Sequence, residues 1–129
     1  MEGTKDLTHA TDELVSLIND GILNKNGHDL LNIDLRPLDN AVTQYFVICH
    51  ANTDVQMHAI ANEVLHLVKK QTGEIPLSKE GMTNSNWILL DYVDVVVHIF
   101  RTDYRKFYQL ENLWADAPSE RIEPDAAQH

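Results

Sequence analysis

The chain has one cysteine in 129 residues, Cys49, which excludes an internal disulfide and a thiolate metal cluster. Long apolar runs are missing too, and nothing approaches the roughly 18 residues that a membrane span needs. The opening MEGTKDLTHATDE is acidic and polar, unlike a secretory signal, so a cytoplasmic location is expected. Basic residues are scarce: 10 Lys and Arg face 20 Asp and Glu, a formal charge of −10. A surface of that sign repels phosphate backbones, so little direct nucleic-acid contact is expected and a basic protein partner suits it better.

Glycine is absent where a phosphate-binding enzyme needs it. The turn ahead of the second expected helix reads His50-Ala51-Asn52-Thr53, with no glycine to cradle a phosphate. Two-metal phosphoryl transfer needs converging carboxylates, commonly one residue apart on a strand. That spacing occurs once, as Glu123-Pro124-Asp125 near the C-terminus, and on no core strand. The seven histidines are scattered with no H-x-x-x-H pattern, and Asp54 with His58 makes only a surface pair. No cofactor or metal is expected.

What is present reads as one α/β domain. Leu14, Val15, Ile18 and Ile22 form one apolar stripe and predict a first helix, with Gly27 turning the chain after it. DLLNIDLR and VTQYFVICH read as strands, and the run YFVIC predicts burial on both faces with Cys49 inside. Thr53 and Gln56 have the capping-box spacing, opening a helix with Ile60, Val64, Leu67 and Val68 inward and Gly73 at its end. GEIPLSKEGMTNSN reads as a loop. NWILLDY and DVVVHIFR are strands joined by a tight hairpin turn, with Val93, Val95, Val97 and Ile99 assigned to the core. Thr102 or Asp103 caps a last helix carrying Phe107, Leu110 and Trp114. The expected fold is a single-domain α/β sandwich over residues 1–115, its mixed sheet flanked by helices, with residues 116–129 as a flexible tail.

The ionisable residues near the hairpin allow two readings. Asp91 and Asp94 flank the turn, where aspartates commonly accept backbone N–H groups, and His98 among apolar neighbours reads as a hydrogen-bonded structural residue. The alternative is a small nucleotide- or metal-dependent enzyme using Asp91, Asp94 and His98. Trp87, Tyr92, Tyr104, Tyr108 and Trp114 lie within 28 positions, beside Arg101, Arg105 and Lys106. Large amphipathic rings beside charged groups are the composition of a protein-binding hot spot.

The string EGMTNSNWILLDYVDVVVHIFRTDYRKFYQLENLW, with TQYFVICHANTDVQMHAIANEV before it, resembles the ribosomal silencing factors, also called the Iojap-like family. The likeness runs from about Leu14 to Trp114. It implies a fold similar to nucleotidyltransferases without their catalytic carboxylates, and a protein that is not an enzyme. It also implies binding to the large ribosomal subunit through ribosomal protein L-fourteen, which blocks joining of the small subunit and lowers translation when nutrients are short. The residues matching the family as partner contacts are Trp87, Leu89, Asp91, Tyr92, His98, Arg105, Tyr108 and Glu111. An exposed aromatic patch of this kind also allows a homodimer when the protein is free. Val93 departs from the pattern, since the family carries glycine there, and a β-branched residue resists positive φ. A different turn type that shifts Tyr92 is therefore expected.

Overall fold

The computed structural model describes residues 2–39, 41–83, 86–108 and 115–124. The first helix, α1 (Glu2–Asn24), buries Leu14, Val15, Ile18 and Ile22, the stripe expected from their spacing. Its end differs from expectation. Asn26 takes the left-handed conformation, with φ of 61°, because its short polar side chain tolerates that region. Gly27 is needed for packing instead, since a Cβ there would stand 2.4 Å from Cγ2 of Ile22.

Strands β1 (His28–Asp34) and β2 (Tyr45–Ala51) follow as an antiparallel pair. Helix α2 (Asp54–Thr72) opens on the expected cap, with Thr53 Oγ1 accepting the N–H of Gln56 at 3.1 Å. Gln56 reaches back one residue further than the box requires, its Oε1 accepting from the N–H of Asn52 at 3.3 Å. Its side-chain amide also donates to the carbonyl of Asn26 at 2.9 Å, tying the start of α2 to the end of α1. Gly73 closes α2 in the left-handed region and donates its N–H to Lys69 at 2.8 Å.

Two segments form strands that sequence pattern does not reveal. The expected loop holds β3 (Ser78–Glu80), paired antiparallel with β4 (Trp87–Asp91). The expected flexible tail holds β6 (Ser119–Ile122), paired antiparallel with β1. Both are short, mostly exposed edge strands held by backbone pairing. They therefore lack the apolar alternation by which a strand is read from sequence. Between them β5 (Val95–Arg101) leads into the short helix α3 (Thr102–Tyr108).

The six strands lie in the order β3-β4-β5-β2-β1-β6. β2 and β5 run parallel, as a crossover through α2 demands, and every other pairing is antiparallel. The mixed sheet is thus as expected. α1 and α2 cover one face, over Val47, Cys49, Ile88, Leu90, Val95, Val97 and Ile99. The two helices approach closely at Gly21, where a Cβ would lie 3.1 Å from Cα of Val64. Full burial of each large aliphatic side chain in this layer contributes about 1.5–3 kcal/mol. Cys49 is fully buried here, and burial pushes its thiol up to about 12, so it packs as a small apolar group.

The opposite face carries a second, smaller core of Leu31, Ile33, Leu35, Phe46, Ile48, Val96, Phe100 and Ala117. β5 is therefore buried on both sides, and one residue assigned to its core is misplaced. Val93 sits in the turn ahead of the strand and is 56% exposed.

Candidate functional site

The second face of the sheet is where the expected contact residues are decided. Trp87, Leu89 and Asp91 alternate along β4 and point to that face, opposite α1 and α2. Trp87 and Leu89 are half-buried against Phe46, Val96 and Phe100, which leaves part of each in solvent. The Trp87 ring stacks on Phe100 with centroids 5.1 Å apart, and Phe46 meets the His98 ring edge-on at 4.6 Å. Tyr104 of α3 packs on the same core, with the Arg101 guanidinium 5.3 Å from its ring centre.

His98 lies beneath this patch rather than on it. It is 4% exposed, and its Nδ1 accepts the indole N–H of Trp87 at 3.0 Å. That bond leaves the ring proton on Nε2, which is buried with no hydrogen-bond partner among the described residues. Burial pushes the imidazole down to about 4, so it is neutral at physiological pH. Its place in the structure is to orient Trp87.

Tyr92 and Arg105, also expected as contacts, are buried. Tyr92 packs on the helical side of the sheet at 5% exposure, and burial pushes its phenol up to about 12. Arg105 is 7% exposed and staples α3 to the first strands. Its Nη1 donates to the carbonyl of Asp29 at 2.7 Å and lies 3.0 Å from Nδ1 of His50. Tyr108 closes α3 with its side chain outside the described residues, and Glu111 lies outside them altogether, as do Leu110 and Trp114. Of the six expected contacts whose side chains are described, Trp87, Leu89 and Asp91 are the ones brought together at an accessible surface.

The hairpin turn departs from expectation in an instructive way. Val93 takes positive φ, 77°, in spite of its branched Cβ. The chain reverses through a three-residue turn in which the N–H of Asp94 donates to Tyr92 at 2.9 Å. Four neighbours hold it. Asp91 Oδ1 accepts the N–H of Val93 at 2.8 Å, and the Thr43 hydroxyl donates to the Val93 carbonyl at 2.8 Å. The Asp94 carbonyl accepts from the N–H groups of Gln44 and Tyr45. Positive φ is thus held at a β-branched residue by its neighbours. Beside it, Val42, Thr43, Val93 and Asp94 help line an open depression of about 350 Å³.

These contacts also account for the residues of the enzyme alternative. The Asp91 carboxylate serves the turn, Asp94 anchors it through its backbone, and the His98 ring is held by Trp87. Thr43 and Gly81 support the patch from beneath and are positions that residue-type reasoning passes over. Gly81 has φ of 82°, and a Cβ there would fall 2.0 Å from the carbonyl oxygen of Trp87. The Glu80-Gly81 pair just ahead of Trp87 was the available signal, because only glycine permits that approach.

The fold and the patch define a single-domain α/β protein whose mixed sheet keeps one face under two helices and presents aromatic and apolar side chains on the other. Residues 8–129 match the family described as "Ribosomal silencing factor during starvation". A relative named "Ribosomal silencing factor RsfS" from Bacillus subtilis is 44% identical over 97 residues, covering 73% of this chain and 78% of that protein. The mouse protein "Mitochondrial assembly of ribosomal large subunit protein 1" is 29% identical over 105 residues, covering 80% of this chain and 44% of its own length. A crystal structure from Bacillus halodurans superposes with a TM-score of 0.74 at 32% identity, covering 86% of this chain and 99% of that one. The chain belongs to the ribosomal silencing factor, or Iojap-like, family.

Proposed function

We propose that this protein is a translational repressor that binds the large ribosomal subunit through ribosomal protein L-fourteen and blocks joining of the small subunit, lowering translation under nutrient limitation. The observation that carries the reading is the half-exposed Trp87–Leu89–Asp91 row, in a chain whose family is that of the silencing factors. Trp87 has the character of an interface anchor: a large ring, oriented from below by His98 and braced by Phe100. Occupancy alone suffices for the mechanism. A standard interface buries about 1,600 Å² in total, enough to exclude a competing subunit from the same surface. No catalytic step is part of it.

The charge of −10 complements a basic ribosomal protein, so association weakens as salt rises. The site of action in this reading is the cytoplasm, and the same apolar row pairs two copies when the protein is free. Sedimentation with purified large subunits tests the proposal. Wild-type protein co-migrates at low salt and reduces subunit joining, and Trp87→Ala weakens binding by about 2 kcal/mol or more with the fold intact. Normal subunit joining with no co-migration rejects the proposal. Wild-type affinity in Trp87→Ala rejects the placement of the surface.

A further inference from the structure

We infer that His58 is a positioning residue that locks the loop ahead of Trp87 against α2 when its ring carries both protons, and loosens it when neutral. The inference rests on the docking reading above and adds a means of regulating the same surface.

The geometry is specific. His58 lies in the first half of α2, and each ring nitrogen meets a backbone carbonyl oxygen. Nδ1 is 2.8 Å from the carbonyl of Asp54 on the preceding turn, and Nε2 lies against the carbonyl of Met82. A neutral imidazole has one N–H and one lone pair, so it satisfies one carbonyl and turns a lone pair on the other. The imidazolium donates to both. The two carbonyls together therefore select the cation.

Met82 lies just after β3, next to the residue that touches the backbone from which Trp87 projects. Its neighbour Gly81 packs directly on the Trp87 carbonyl, and the Met82 side chain packs on the helical core. Holding the Met82 carbonyl on α2 thus steadies its neighbour Gly81 against the docking row. No side chain between Gly81 and Asn86 is ionisable. Asp54, on α2 itself, is the charged side chain that favours the cation, and it is shared with Arg101 at the end of β5, 3.5 Å away. Lys79 and Glu80 of β3 enter the loop from its other end.

The sign follows. The carbonyl of Met82, then that of Asp54, raise His58 above the ordinary 6.5. Below that value the ring is charged in folded and unfolded chains alike, and the tie is complete. As pH rises through the folded value one of the two bonds is lost and the tie weakens. His98 titrates near 4 and does not contribute in this window.

The test follows the free protein and then its complex. In the free protein, nuclear magnetic resonance gives the His58 titration, and hydrogen-exchange protection factors report on the amides of Trp87 and Ile88. Protection in the wild type falls about fivefold from about pH 6 to about pH 8.5, the scale of losing one ordinary hydrogen bond. His58→Gln keeps a donor that does not titrate, and its protection stays flat. Large-subunit binding follows the same pattern, with about a fivefold loss at high pH in the wild type and none in His58→Gln. An unshifted His58, or the same pH response in His58→Gln, overturns the inference. A loop that titrates in protein that binds large subunits at no pH upholds the tie and rejects the docking reading instead.

Discussion

Trp87 donates its indole N–H to Nδ1 of His98 across the β4–β5 pair, at 3.0 Å, and this bond joins the exposed row to the buried core. One partner is half-exposed and the other is 4% exposed, so the histidine holds the tryptophan from below. Replacing His98 by Phe keeps the ring and removes the acceptor. The indole N–H then loses its partner, and stability falls by about 1–3 kcal/mol, measured by urea unfolding. Tryptophan fluorescence shifts along with it.

His98 also makes the fold acid-sensitive in a defined window. The unfolded imidazole takes a proton near 6.5, whereas the buried one does so only at about 4. The unfolded chain therefore binds more protons between those values. Stability is full above 6.5 and declines as pH falls toward 4, by at most about 3 kcal/mol. Denaturation midpoints taken across that range show the slope, and His98→Phe flattens it.

Val93→Gly stabilises the protein. At φ of 77° a branched residue carries a steric cost of about 1–2 kcal/mol that glycine avoids. The gain is partly offset by glycine's greater freedom in the unfolded chain, leaving about 1 kcal/mol net. An unchanged or lowered midpoint in thermal unfolding contradicts this account of the turn.

Asp91 and Val93 are coupled through the bond from the Val93 N–H to the carboxylate. Asp91→Ala costs about 1 kcal/mol in the natural sequence. The penalty is smaller when Gly stands at 93, because a relaxed turn needs less clamping. A double-mutant cycle measures the difference, and strict additivity denies the coupling.

Gly81→Ala is the most damaging of these changes. The added Cβ would fall 2.0 Å from the Trp87 carbonyl oxygen on a backbone at φ of 82°, so the chain must move. A loss of about 3 kcal/mol or more is expected, with Trp87 displaced. Circular dichroism with calorimetry checks the fold, and sedimentation with large subunits checks the surface.

The two histidines on either side of β4 respond to pH in opposite directions for one physical reason. His98 meets a donor and an apolar wall, which favour the neutral ring. His58 meets two acceptors, which favour the charged one.

Residue order alone carries the helix stripes, the capping of α2 by Thr53, the central strands, the mixed sheet and the family. Those features follow from local periodicity and local hydrogen-bonding preference, which residue order carries directly. It also marked Trp87 and Leu89 as a surface. The burial of Tyr92, His98 and Arg105 depends on packing, because strand alternation gives a residue its face but not what covers that face. Only the tertiary structure placed β3 and β6 in the sheet, since their pairing partners are brought to them by the rest of the chain. The positive φ of Val93 belongs there too: Thr43, 50 positions away, supplies a bond that no local reading of the hairpin contains.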